Sequence, residues 1–518
     1  MTFKQLPMNA RKILTFVLVL TVISLNLGAQ ARATIGRYVA QHQQEILSEL
    51  VALLSIPNVA SDKPNIRRNA HYLSEMLQRR GFAAEILETD VNPLVYGELR
   101  VPGALRTILW YAHYDGQPFD ARLWKQESVF KPILREGRME DGAKEIPNFE
   151  SLKTYPSGAR IYARSASDDK APIVALLAAI DALRASGQQP KSNVRLILDG
   201  EEEASSRGLI SSLPKYRDKY RADMMLVLDG PLHSSGRPTL VFGGRGIATL
   251  ELTVFGPKFA LHSGHYGNWA PNPAMDLIHL VGSMKDDNGR VLVEGFYDDV
   301  PPFSPEEKRI LASVPDDPKE LMQFFGISRT DQVGGSLQEA LQYPSLNVRG
   351  LRSAYIGSEA RTLIPESATA SIDIRLVKET DPDRMIRRVL DHIRKQRFQI
   401  VDKEPDDATR AKYPRIVLAT SGSGGATFSG TRAYRTEMSH PASAEITNLM
   451  QRTWNEAPVR IRTMGGTVPM APFAEVFGFP IISIPVVNFD NNQHSENENL
   501  RLENLWKAVV TFAAVLTM

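Results

Sequence analysis

The chain has 518 residues, 43% hydrophobic and 23% charged, an ordinary globular composition with length enough for two or more domains. Its 61 basic and 59 acidic residues leave a formal net charge of +2, which excludes a strong field for nucleic acid or acidic surfaces. It has no cysteine, which excludes disulfides, lipoprotein-type attachment and thiolate ligands, so any metal site must use histidine and carboxylates.

The chain opens with Lys4, Arg11 and Lys12, then an apolar run from Ile13 to Leu27, then Ala31-Arg32-Ala33 ahead of Thr34. That order predicts a secretory signal peptide over 1–33 and a periplasmic or secreted mature protein. The alternative is an uncleaved anchor, but the run is about 15 residues, broken by Ser24 and Asn26, against the roughly 20 that cross a bilayer. No second apolar stretch of spanning length follows, so no stable membrane association is expected after cleavage.

Ile46, Leu47, Leu50, Val51, Leu53 and Leu54 recur at helical spacing, and a second amphipathic helix is predicted over 68–79, ending before Gly81. Four short apolar runs follow at 107–112, 194–198, 224–228 and 481–487, each trailed by polar or acidic residues. Such runs suit strands buried on both faces, and the Ala- and Leu-rich stretch 171–186 reads as a helix between two of them. The alternation predicts an α/β fold: a three-layer catalytic domain with a mostly parallel sheet. The middle differs. Residues 248–255 and 368–377 alternate as half-buried strands do, while 273–284 and 381–396 read as helices. This predicts an inserted α+β domain over 245–436, with the catalytic domain over 34–244 and 437–518. The Gly/Ser-rich stretch 421–425 lies near the end of the insertion, and polar 137–158 reads as a loop.

Five motifs place metal-capable side chains where ligands bind in such sheets, beyond the carboxyl ends of the strands. His113 follows the first run, with Asp115 in reach as an acceptor that could orient the imidazole. Alone, a histidine after a strand is more often a satisfied surface residue. Ser167-Asp168-Asp169-Lys170 opens the 171–186 helix; it is either a favourable acidic N-terminus or a carboxylate shared by two metals. Glu201-Glu202-Glu203 follows the second run; these are a solvated acidic turn, or a metal ligand beside a general base. Asp229 and His494 follow the third and fourth runs, and each alone is unremarkable. Together, two histidines and three carboxylates at five such places suit two divalent ions, zinc foremost, with manganese or cobalt as alternatives.

The pattern resembles the zinc-dependent exopeptidase family of carnosinases, glutamate carboxypeptidases, aminoacylases and succinyl-diaminopimelate desuccinylases, across essentially all of 34–518. Its specific pieces are His113-Tyr-Asp115-Gly-Gln-Pro118, Ala166-Ser-Asp168-Asp-Lys170, the Glu202-Glu203 pair and Asn491-Asn-Gln-His494-Ser-Glu-Asn-Glu498. Leu261-His262-Ser-Gly264, Gly295-Phe-Tyr-Asp-Asp-Val300 and Ile372-Asp-Ile-Arg375-Leu-Val377 point to the carnosinase-like dipeptidases. The resemblance implies that His113 and Asp229 hold one metal, Glu203 and His494 the other, and Asp168 bridges them. It further implies Asp115 as the group orienting His113 and Glu202 as general base. His262 is implied to reach the partner's active site across a homodimer, with Arg375 and Thr362 gripping the substrate and Gly465, Gly466 and Thr467 beside it. Four departures stand out: Ala163-Arg164-Ser165 where the family usually has Gly-Arg-Gly, Ser205-Ser206 in place of Gly-Ser, Ala171 in place of Gly, and a longer 137–158 loop.

The implied activity is hydrolysis of an amide bond in a small peptide with a free C-terminal carboxylate. Alternatives are deacylation of N-acyl amino acids and an exported binding protein that has lost hydrolysis. A serine hydrolase is disfavoured by the lack of a Gly-x-Ser-x-Gly elbow between strand and helix, and a His-Glu-x-x-His metallopeptidase is excluded. No basic patch with interleaved aromatics suggests nucleic acid.

Overall fold

The computed structural model describes residues 32–421 and 430–518. All but the last two residues of the predicted signal peptide, and the Gly/Ser-rich stretch beyond Ser421, lie outside the described residues. No helix among the described residues is long and apolar enough to cross a membrane.

The chain forms two compact units. One holds the residues up to Phe242 with Thr436–Arg460 and Phe473–Met518; the other holds Gly243–Arg435 with Ile461–Pro472. The expected unbroken return of the catalytic part over 437–518 therefore differs in one stretch. Residues Ile461–Pro472 join the second unit because their backbone pairs there: Met464 N–H donates to Gly243 O and Arg245 N–H to Gly466 O. Periodicity could not signal this, since 462–470 is neither helix nor strand.

The first unit is built on an eight-stranded sheet ordered Ala83–Leu87, Leu94–Leu99, Asn193–Asp199, Thr107–His113, Met224–Val227, Ile481–Ser483, Thr239–Val241 and Val459–Ile461. The four strands from Asn193–Asp199 to Ile481–Ser483 run parallel, flanked by antiparallel pairings. Their near-continuous apolar runs are buried because helices cover the sheet. The helix Lys170–Ala185 is buried along almost its whole length, between the sheet, Gln43–Leu54 and Leu502–Leu516. Trp110 and Phe512 meet edge-to-face in this core at 5.9 Å. The fourth run is shorter than its hydrophobicity predicts: the strand stops at Ser483, two residues before Pro485, which has no N–H for a ladder.

The second unit carries an antiparallel sheet in which Gly246–Phe255 lies between Ser367–Leu376 and Ile416–Ser421, with Ser345–Arg352 on the outer side of Ser367–Leu376. Gly246–Phe255 alternates buried and half-buried without a break. The helices Pro273–Gly282 and Pro382–Lys395 pack their apolar faces on it. This is the half-covered sheet that period-two patterning predicts.

Candidate metal centre

The parallel strands deliver the candidate ligands to one edge. His113 is the last residue of its strand and sits level with Asp199 on the neighbour. Glu203 lies in the Glu202–Ala204 turn beyond that neighbour, and Asp229 lies two residues past Met224–Val227. Asp168 stands just before the helix Lys170–Ala185, and His494 lies in the loop after Ile481–Ser483.

Asp168 is the meeting point. One of its oxygens is 2.8 Å from His113 Nε2 and the other 3.1 Å from His494 Nε2. His494 Nε2 is also 3.4 Å from Glu203 Oε2. Ligand atoms of His113, Asp168 and Glu203 all lie within 4.8 Å of one another. Burial, and then the charge of Asp168, push the Asp229 carboxyl up to about 6 and that of Glu203 up to about 8. Burial also drives Glu202 well up, reinforced by Asp229 and Glu203 and opposed by His113. At Asp168 burial acts upward too, but the two imidazoles outweigh it and hold its carboxyl well below the usual range. His494 rises to about 9, chiefly through its hydrogen bond to Asp168. The carboxylates of Asp168 and Glu203 thus meet two imidazoles, and the charge of Asp168 reaches Asp229 as well. Such a set repels itself unless protons or cations intervene, and its nitrogen and oxygen donors fit divalent metal ions.

Comparison with known proteins gives the arrangement a family. The profile of peptidase family M20/M25/M40 matches residues 109–518. The chain belongs to this family. It is therefore a metal-dependent hydrolase of peptide bonds. It is 25% identical to a Cys-Gly metallodipeptidase of Schizosaccharomyces pombe over 91% of this chain and 94% of that protein. It is also 25% identical to the human Beta-Ala-His dipeptidase, over 92% of this chain and 90% of that protein. Among solved structures, an M20 family metallo-carboxypeptidase from Sulfolobus solfataricus superposes with a TM-score of 0.74 at 28% identity, covering 91% of this chain and 98% of that one.

Around this cluster a further layer of residues fixes the candidate ligands. Asp115 accepts from the backbone N–H groups of Glu202 (2.9 Å) and Glu203 (3.0 Å), and one of its carboxylate oxygens is 3.4 Å from His113 Nδ1. It therefore sets the glutamate turn as well as the imidazole. Glu201 turns elsewhere, accepting from Gly208 N–H at 3.1 Å. Gln117 Nε2 donates to Glu203 at 2.5 Å. Two of the departures from glycine sit at positive φ, Ser165 at 64° and Ser205 at 81°, a region that glycine enters at least cost. Ser165 is steadied by Asn58, which donates to its Oγ at 2.9 Å.

Sequence reasoning missed Glu498, although it quoted the motif that ends there. Glu498 is fully buried and accepts from Ser165 N–H, Ser167 N–H and Oγ, Asp168 N–H and Arg164 Nη1 at 2.8 to 3.0 Å. It clamps the loop that presents Asp168. Lys170 belongs to the helix start and to the family motif, with no role of its own expected from the sequence. It is buried, and its Nζ donates to the carbonyls of Leu53 (2.8 Å) and Ile56 (3.0 Å). The signal for Lys170 is its charge at the head of a helix that otherwise packs as core.

The remaining candidates lie in the second unit as two pairs. His262 and Thr362 meet where Ser263 N–H donates to Thr362 O, and His262 is exposed with its Nδ1 accepting from Gly264 N–H at 3.1 Å. Arg375 Nη1 donates to Thr467 Oγ1 at 2.9 Å, next to Gly465 and Gly466. No hydrogen bond or ring contact joins the two pairs among the described residues.

Proposed function

We propose that the protein is a two-metal dipeptidase acting on small peptides with a free C-terminal carboxylate. The observation that carries this is Asp168, with one carboxylate oxygen on His113 and the other on His494. A carboxylate so placed suits a shared bridge. His113 and Asp229 would hold one ion, and Glu203 and His494 the other. Zinc fits this donor set first, and manganese or cobalt next. When bound, such ions supply Lewis acidity to a water and to the scissile carbonyl.

The chain's own groups do the rest. The Glu202 carboxylate takes the proton of the attacking water, holds it at a carboxylate oxygen and delivers it to the leaving amine. Asp115 keeps Glu202 in place through the backbone of the turn. The His262 Nδ1 lone pair is used by Gly264 N–H, which leaves Nε2 as the ring's N–H. That N–H is free to donate to the carbonyl oxygen as negative charge develops. Arg375 pairs the terminal carboxylate through its planar fork, with Thr467 and the Gly465-Gly466 backbone beside it, and Thr362 comes to the substrate together with His262.

Zinc-loaded protein is expected to hydrolyse dipeptides, to cut their C-terminal amides measurably but with a much higher KM, and to leave matching N-acyl amino acids largely uncut. Faster release of the acid from N-acyl amino acids would replace this reading with a deacylase. The same reading makes the enzyme a homodimer in which His262 serves the partner's site. Neither His262→Ala nor Glu202→Gln alone should be active. Mixed after dissociation and reassociation, they should regain about a quarter of wild-type activity by random pairing. A mixture no more active than its parts would remove His262 from that role.

A further inference from the structure

Arg245 stands one residue before the Gly246–Phe255 strand and is buried, 6% exposed. Its backbone N–H donates to Gly466 O at 3.1 Å, so the Gly465–Thr467 loop hangs on this residue. Its guanidinium Nη2 donates to Tyr343 O at 2.6 Å and to Ser345 Oγ at 3.1 Å. Ser345 is the residue that faces Arg375 across the sheet, and Arg375 in turn donates to Thr467. Arg245, the loop, Ser345 and Arg375 are thus one connected group.

The charge of that group is unbalanced. Arg245 forms no ion pair with a carboxylate among the described residues, and its Nε is buried without a hydrogen-bond partner. Burial, and then the like charge of Arg375, lower its pKa to about 10, with Asp373 opposing. Asp373 is itself engaged by Asn347. The carboxylate that opposes this shift at Arg245 is therefore already engaged elsewhere. A buried cation without its counter-ion is costly to keep, and a hydrogen-bonded strut to two neutral oxygens does not require a charge. An arriving anion would supply the missing negative charge.

We infer that Arg245 is a positioning residue for the substrate's terminal carboxylate, a second buried cation that holds the Gly465–Thr467 loop and adds its charge to the grip of Arg375. The inference rests on Arg375 as the carboxylate grip. Arg245 takes no part in bond cleavage, so its effect should fall on KM and spare kcat.

The test compares Arg245→Met with Arg375→Ala on a dipeptide and on its C-terminal amide. For Arg245→Met, KM for the free dipeptide should rise about tenfold, the size expected of a unit charge acting over several ångströms in an intermediate dielectric. Its kcat, and both constants for the amide, should hold, and Arg245→Lys should recover most of the loss. Equal changes on both substrates, or no change, would overturn the inference. If Arg375→Ala also treats both substrates alike, the carboxylate reading itself fails. If only Arg245→Met does, that reading survives and this inference falls. Should Arg245→Met not fold, Arg245→Gln keeps a donor for Tyr343 and Ser345 without the charge and reads the same split.

Discussion

Glu202→Gln is expected to lower kcat by about 10²–10⁴-fold while metal content and fold are retained. Glutamine has the shape of glutamate, and the Glu202–Ala204 turn is fixed by backbone donors to Asp115 that the substitution does not touch. What is lost is the ability to take and return a proton. Removing one negative charge from a cluster of buried carboxylates should not cost stability, so the melting temperature should hold or rise. Glu203→Gln is the informative companion. Glu203 lies 3.4 Å from His494 and 2.5 Å from Gln117, so its loss should also reduce the metal bound. Kinetics and metal analysis on the two variants separate the roles. Wild-type turnover by Glu202→Gln would exclude it as the base, and loss of metal from that variant would make it a ligand.

Much of this site was legible because sheet architecture and ligand chemistry leave their marks at the same places. A run such as Met224-Met-Leu-Val-Leu228 has to be a buried strand, and an acid directly after it has to lie at the sheet's edge. His113, Glu203 and Asp229 follow this rule, and Asp168 follows its helix counterpart. What stayed hidden depends on contacts between distant segments. Nothing local tells Glu498 from Glu496. One is fully buried against Arg164 and the Ser165–Asp168 backbone, and the other is exposed. Residues 461–472 likewise gave no sign of leaving the first unit, because their membership is set by pairing with Gly243 and Arg245 rather than by periodicity. Arg245 reads as a polar residue ahead of a strand until Tyr343 and Ser345 are seen to close over it.

Glu498→Ala is expected to be the most damaging single change outside the ligands, costing about 3–5 kcal/mol of folding stability, the usual penalty for stranding one member of a buried ion pair. The pair is Arg164 and Glu498, 2.8 Å apart, with side chains 2% and 0% exposed. Alanine would leave the guanidinium resting on Trp124 and one bond to Ser495 O, with three backbone N–H groups unsatisfied as well. Glu498→Gln should fall between, since an amide oxygen can still accept but its NH2 would face donors. The double change Arg164→Met with Glu498→Leu removes the stranded charge. It should recover only part of the loss, because the N–H groups of Ser165, Ser167 and Asp168 remain without an acceptor. Denaturant unfolding of the three variants orders them, and a Glu498→Ala protein as stable as wild type would refute the clamp. Activity should fall along with metal affinity, and excess zinc should restore it only in part. The carboxylate that holds the Asp168 backbone also sets where the proposed shared ligand points, so in this chain the stability of one loop and the geometry of the candidate metal centre are a single property.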